Sequence, residues 1–212
     1  MIFDNDDTLY YAPGIGKEAV GYMVEFAASA LNISVEDAAL ERVKIKRKYG
    51  VDSTPFAFNQ KYGIDFDEMI NFAYSQIELK KYGISKNDSL IKTLSALKVP
   101  KFILTNNTAE FASLILSELG VANLFKRIFG CREVDFKLKP APEAYLRVLN
   151  FANVNASEAV MVDDRVDFLL GAAQLRMRTI LFSRDMSFHP LCGVDFVIRD
   201  LKELPKLLSE LK

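Results

Sequence analysis

The sequence is poor in the residues from which most metal and disulfide sites are built. Its 212 residues include one histidine, two cysteines and no tryptophan. One histidine excludes metal sites with several histidine ligands, and the cysteines are too few for Cys₄ or Cys₂His₂ zinc sites. We expect Cys131 and Cys192 to be reduced thiols, since two cysteines do not make a disulfide framework, and we assign His189 no catalytic role. Any reaction of this chain must therefore depend mainly on carboxylates, lysines and hydroxyl groups.

Net charge and long apolar segments are lacking too. The 27 basic and 28 acidic side chains give a net charge of −1, so no broad field attracts nucleic acid or anionic lipid. No apolar run approaches the length of a membrane-spanning helix, and no basic segment followed by an apolar one opens the chain. We therefore expect a cytoplasmic monomer or homodimer that binds neither a nucleic acid polymer nor a membrane.

The spacing of the hydrophobic residues changes along the chain. Between residues 14 and 82 they recur three and four positions apart, which predicts several helices. Beyond residue 87, short apolar segments alternate with helical patterns, at 102–104, 159–162, 179–182 and 194–198. Such alternation is typical of a parallel β-sheet covered by helices on both faces. The sequence therefore predicts an α/β fold, in which ligands bind beyond the carboxyl ends of the strands.

Two carboxylates follow the first apolar segment, residues 1–3. Asp4 and Asp6 are two positions apart, and alternation along an extended chain directs both side chains to the same side. One of them could attack a substrate while the other moves protons. The alternative is an Asp-rich turn whose side chains only bond the backbone, and this segment alone does not decide between the two.

Thr105 and Asn106 follow the next predicted strand and precede a predicted helix. Hydroxyl, amide and backbone N–H groups at the start of a helix can hold a phosphate oxygen. The alternative is an ordinary helix start, for which Thr108 supplies the capping side chain. Lys139 also comes just before a predicted helix, where it could neutralise a phosphoryl oxygen and a carboxylate. The alternative there is an exposed surface lysine, and Lys137 competes for the role.

Asp163 and Asp164 end the apolar segment 159–162. Adjacent acids at a buried strand end repel each other unless a cation compensates them. With Asp4 and the carbonyl group of Asp6, one of these two acids could complete the all-oxygen site that Mg²⁺ prefers; the alternative is a polar turn into the next helix. A nucleophile, a proton carrier, a hydroxyl, a lysine and metal-binding acids are together the set that phosphoryl transfer requires, because positioning and charge neutralisation catalyse it.

These segments resemble, in order, the four motifs of the haloacid dehalogenase-like (HAD) superfamily of phosphatases. The first motif, DxDxT, corresponds to DNDDT at residues 4–8, with Asn5 where a hydrophobic residue is usual. The others correspond to Thr105, to KPAPEAY beginning at Lys139, and to the Asp163–Asp164 pair. The resemblance implies a Rossmann-like α/β core of residues 1–11 and 88–212, interrupted by a helical C1-type cap domain of residues 12–87.

The resemblance also implies a role for each residue. Asp4 would attack phosphorus and become an aspartyl-phosphate. Asp6 would protonate the leaving oxygen and later deprotonate the water that releases phosphate. The other implied roles are Thr105 and Lys139 as phosphate ligands, Asp4, the Asp6 carbonyl and Asp164 as Mg²⁺ ligands, and Asp163 and Asp167 as supports of that site.

The predicted function is therefore Mg²⁺-dependent hydrolysis of a small phosphorylated metabolite. The segment TLY at residues 8–10 and the Asp163–Asp164 pair look most like the pyrimidine 5′-nucleotidase branch, which implies a nucleoside 5′-monophosphate as substrate. Two alternatives stay open: a phosphomutase of the β-phosphoglucomutase type on the same scaffold, and a receiver-like signalling domain phosphorylated on an aspartate. A haloacid dehalogenase is disfavoured, because that reaction has no leaving group that needs Asp6 as an acid.

Overall fold

The chain consists of two compact units. The computed structural model describes residues 1–51, 53–185 and 193–210, so His189 and Cys192 lie outside the described residues. The first unit comprises Met1–Ala12 and Gly83–Lys212, and the second comprises Pro13–Tyr82. These boundaries lie one and five residues from those expected from the sequence. Residues 83–87 belong to the first unit, where the Asn87 N–H donates a hydrogen bond to the Leu119 carbonyl oxygen at 3.1 Å.

A parallel β-sheet of six strands forms the centre of the first unit. The strands lie in the order β3-β2-β1-β4-β5-β6, and every neighbouring pair is parallel. This arrangement confirms the predicted α/β fold. The strands are β1 (Ile2–Phe3), β2 (Phe102–Leu104), β3 (Arg127–Phe129), β4 (Val160–Asp163), β5 (Arg178–Phe182) and β6 (Phe196–Ile198).

The second unit is helical, and polar side chains cap the starts of several of its helices. The helices are α1 (Ile15–Leu31), α2 (Val35–Tyr49), α3 (Thr54–Tyr62) and α4 (Phe66–Ser75). The Ser34 side chain accepts a hydrogen bond from the Asp37 N–H, and Asp65 accepts from the first turn of α4, as N-cap residues do. Met23, Phe58 and Met69 are buried in the shared core of this unit, so its hydrophobic spacing reflects helix packing.

The remaining helices belong to the first unit. They are α5 (Asp88–Ala96), α6 (Ala109–Glu118), α7 (Pro142–Ala152), α8 (Val166–Gln174) and α9 (Leu204–Glu210). Tyr145 of α7 and Leu169 of α8 lie in one buried cluster with Leu104 and Met161 of the sheet. None of the helices in the described part of the chain is long and apolar enough to cross a membrane.

Gly171 allows α8 to approach the loop that carries Lys139. A Cβ atom on this glycine would lie 2.5 Å from the Pro140 carbonyl oxygen and 3.0 Å from the Tyr145 hydroxyl. We expect Gly171→Ala to lower the free energy of unfolding by about 1–3 kcal/mol, because overpacking displaces backbone that cannot yield. In Gly21→Ala, within α1, the new Cβ meets nothing within 4 Å, so this control should gain up to about 1 kcal/mol. Denaturant unfolding of both variants measures the contrast, and equal stabilities would contradict it.

Candidate active site

The polar residues identified in the sequence meet at the carboxyl edge of the central strands. Strand β1 lies between β2 and β4, so the residues that follow these three strands are neighbours in space. The Asp4 N–H donates to the Val162 carbonyl oxygen of β4 at 2.8 Å, which continues the ladder by one residue. The site is therefore assembled from segments that are far apart in the sequence but adjacent in the sheet.

A buried lysine joins two of the carboxylates. The Lys139 amine donates to Asp4 Oδ1 and to Asp163 Oδ2, at 2.7 Å in both cases. Its side chain is 0% exposed. Burial alone would lower the pKa of Lys139, but the charges of Asp163 and Asp4 outweigh it and raise that pKa. Lys137, the competing candidate from the sequence, is exposed, so Lys139 is the lysine that contacts the carboxylates.

The Asn106 side chain holds the backbone of this lysine. Its amide nitrogen donates to the Lys139 carbonyl oxygen at 2.9 Å, and its amide oxygen accepts from the Lys139 N–H at 2.8 Å. Sequence reasoning placed Asn106 in direct contact with phosphate. In the structure the side chain orients the residue that carries the cation, and its contact with phosphate stays a prediction.

Asp6 is held by two hydroxyl groups, one on each oxygen. Tyr10 donates to Oδ1 at 2.5 Å, and Thr105 donates to Oδ2 at 3.0 Å. Burial and the nearby charge of Asp4 raise the pKa of Asp6 to about 6, although both hydrogen bonds act in the opposite direction. A carboxyl group with such a pKa can both give and take a proton near neutral pH. The sequence favours Tyr10 or Tyr11 as an aromatic residue that faces the cleft, but it does not show that a turn brings the Tyr10 hydroxyl back to Asp6.

Three carboxylates lie close enough to share a cation. Asp4, Asp163 and Asp164 each offer one oxygen, and these oxygens lie within 4.8 Å of one another. Burial, followed by the charge of Asp4, raises the pKa of Asp164 to about 6, and a bound cation would favour the charged form of this carboxyl group. An all-oxygen donor set of this charge fits a hard divalent cation. The Asp6 side chain is not part of this group, and its carbonyl group as a ligand stays a prediction.

Thr8 and Arg165 make further contacts around the site. The Thr8 hydroxyl donates to Asp4 Oδ2 at 3.1 Å, so both oxygens of Asp4 are held. Asp167 pairs with Arg165, whose Nη2 lies 2.7 Å from Asp167 Oδ2, and both side chains are about half exposed. The Arg165 guanidinium also lies 4.0 Å from the centre of the Phe168 ring. Asp167 thus contacts Arg165. The Lys139 amine is instead contacted by Asp4 and Asp163.

Comparison with known proteins identifies relatives of this chain. The sequence profile of a family described as haloacid dehalogenase-like hydrolase matches residues 1–176. A phosphoglycolate phosphatase from Psychrobacter arcticus is 31% identical over 122 residues, which are 57% of this chain and 53% of that protein. A glyceraldehyde 3-phosphate phosphatase from Methanopyrus kandleri is 27% identical over 197 residues, 87% of this chain and 83% of that protein. The chain thus matches about half the length of the Psychrobacter protein.

A solved structure shows the same fold. A 2-haloacid dehalogenase from Pseudomonas syringae superposes with a TM-score of 0.68, at 24% identity, over 100% of this chain and 98% of that one. Phosphatases and dehalogenases are therefore both similar to this chain. Which of the two reactions it supports has to be argued from the side chains of its own site.

Proposed function

We propose that this chain, which belongs to the haloacid dehalogenase-like hydrolase family, is a Mg²⁺-dependent phosphatase that hydrolyses small phosphomonoesters through an aspartyl-phosphate on Asp4. The observation that carries the proposal is the second carboxyl group, Asp6, whose pKa is raised to about 6 beside Asp4. An ester oxygen leaves readily only if it is protonated, whereas a halide leaves without a proton. The pairing of Asp4 with Asp6 therefore favours a phosphatase over a dehalogenase.

The proposed reaction has two steps. In the first, an Asp4 oxygen attacks phosphorus, the bond from phosphorus to the ester oxygen breaks, and that oxygen takes the proton of Asp6 and leaves as an alcohol. In the second, water attacks phosphorus, gives its proton to Asp6 and displaces the Asp4 carboxylate. The products are one alcohol and one phosphate, and both carboxyl groups return to their starting states.

The surrounding residues would neutralise the charge of the phosphoryl group. Lys139 is placed beside Asp4, and Thr105 contacts Asp6, so both groups lie near the reacting atoms. We assign Mg²⁺ to Asp4, Asp164 and the Asp6 carbonyl. When bound, the ion supplies positive charge to the phosphoryl oxygens. Asp163 keeps Lys139 in position through the 2.7 Å contact to its amine.

The helical second unit is the proposed source of substrate specificity. As a C1-type cap, residues 13–82 would exclude water from the reacting groups and contact the leaving group. The names of the relatives point to phosphoglycolate and glyceraldehyde 3-phosphate, and the TLY segment at residues 8–10 points to nucleoside 5′-monophosphates. A phosphate-release panel of these compounds, run at equal concentrations, would rank them by kcat/KM.

Removal of metal tests the reaction class. We expect release of phosphate from an aryl phosphate to fall at least about 100-fold in excess chelator, because the ion offsets charge that the protein cannot offset alone. Added Mg²⁺ should restore the rate, and circular dichroism should show that the fold survives chelation. Full activity in chelator would contradict the proposal.

Incubation with a hexose 1-phosphate and a bisphosphate primer should yield free phosphate, whereas an isomerised sugar would identify a phosphomutase.

A further inference from the structure

The two oxygens of the Asp6 carboxyl group have different partners. Oδ1 accepts from the Tyr10 hydroxyl at 2.5 Å, and Oδ2 accepts from the Thr105 hydroxyl at 3.0 Å. Tyr10 is 7% exposed, so its side chain is buried. The carboxyl group is thus held between a buried aromatic side chain and a residue assigned to phosphate binding.

The Thr105 contact cannot persist when phosphate is bound as proposed. A hydroxyl group has one proton to donate, and the Thr105 oxygen already accepts from the Asn107 N–H at 3.0 Å. When Thr105 turns its proton to a phosphoryl oxygen, Oδ2 of Asp6 loses its donor. Tyr10 has no such second role among the described contacts, so its bond to Oδ1 can persist through the reaction.

We propose that Tyr10 is a positioning residue, which holds Asp6 by Oδ1 and thereby reserves Oδ2 for the proton that passes to the leaving oxygen. This inference rests on the proposed phosphatase function. In the step concerned, the bond between phosphorus and the ester oxygen breaks, its electron pair stays on that oxygen, and the proton on Oδ2 of Asp6 neutralises it. Without Tyr10 the carboxyl group can rotate, so the proton is presented by either oxygen and in poorer geometry.

The dependence of rate on the leaving group separates positioning from a structural role. Protonation accelerates departure of an alkoxide, which is strongly basic, but a dinitrophenolate leaves without help. The ratio kcat/KM reports the steps up to this bond cleavage. A general loss of structure would lower kcat/KM for both kinds of substrate, whereas loss of proton positioning lowers it for alkyl phosphates alone.

The experiment compares Tyr10→Phe with wild type on the best alkyl phosphate of the panel and on 2,4-dinitrophenyl phosphate. We expect kcat/KM to fall roughly 10- to 100-fold for the alkyl phosphate, part of the contribution of general acid catalysis, and by less than about threefold for the dinitrophenyl ester. Equal losses on both substrates, or no loss on either, would overturn the inference.

Two further variants complete the test. Tyr11→Phe removes the hydroxyl from the adjacent tyrosine, which is 59% exposed, and should match wild type on both substrates. Asp6→Asn should show the same selective loss as Tyr10→Phe, but larger. A wild-type protein that releases no phosphate from any substrate refutes the proposed function itself, whereas an active wild type with an equally active Tyr10→Phe variant refutes only the role of Tyr10.

Discussion

Asp4→Asn is expected to release phosphate at least about 10⁴-fold more slowly than wild type, because removal of a nucleophile eliminates the covalent step rather than weakening it. The amide has nearly the same shape as the carboxylate, so the Thr8 contact can be kept. The Lys139 amine retains its 2.7 Å contact to Asp163. Steady-state phosphate release measures the effect, and its lower limit is the rate at which the substrate releases phosphate without enzyme.

The matched control for this change is Asp7→Asn, in the same turn. Asp7 has a φ of 57°, and asparagine tolerates this left-handed conformation about as well as aspartate. The control removes one negative charge from the turn without touching the proposed nucleophile. It should keep activity within about threefold of wild type, because the side chain keeps its shape and none of the proposed reacting groups changes. An Asp4→Asn variant that retains a tenth of the activity would refute the assignment of the nucleophile.

Lys139→Met is expected to damage both catalysis and stability. Loss of a donor to the phosphoryl oxygens should lower kcat about 10²- to 10³-fold. Loss of the buried cation leaves the carboxylates of Asp4 and Asp163 facing each other without compensation. Breaking a buried ion pair of this kind costs about 3–5 kcal/mol of unfolding free energy at neutral pH. Urea unfolding and phosphate release, measured on the same preparation, test the two effects together.

The stability loss in Lys139→Met should depend on pH. Folding of the variant brings two carboxylates together without their cation, so its native state binds a proton more readily than its unfolded state. By linkage, its stability relative to wild type then falls as the pH rises and recovers as the pH falls toward 5. The control is Lys137→Met, at the exposed lysine two residues earlier, which should stay within about 0.5 kcal/mol of wild type at every pH. A loss in Lys139→Met that is independent of pH would contradict the electrostatic cause.

The sequence predicts the sheet and the strand-end residues well because both depend on local patterns. Buried parallel strands such as β4 are continuous apolar runs, and the acids that follow them interrupt those runs abruptly. Strand β3 was not predicted, since Arg127–Phe129 is short and begins with a charged residue. Its pairing depends on β2 beside it, which local sequence does not show.

The contacts within the site are less predictable. The Lys139 amine contacts Asp4, which is 135 positions away in the chain. Asn106 bonds the backbone of Lys139, 33 positions away, and Tyr10 bonds Asp6, 4 positions away. A single sequence does not reveal such pairs. Asn5 is fully buried, and neither atom of its amide has a hydrogen-bond partner among the described residues. Burial of an unpaired amide costs free energy, which a hydrophobic residue would avoid. The chain therefore differs from the family motif at Asn5 in a way that affects its stability.

Borohydride trapping during turnover locates the covalent intermediate directly. Borohydride reduces an aspartyl-phosphate to homoserine, and peptide mass spectrometry identifies the reduced position. Wild type mixed with its best substrate and Mg²⁺ should show homoserine at position 4, and Asp4→Asn should show none. Reduction at another aspartate, or phosphate release by wild type with no reduced residue at all, would contradict catalysis through Asp4.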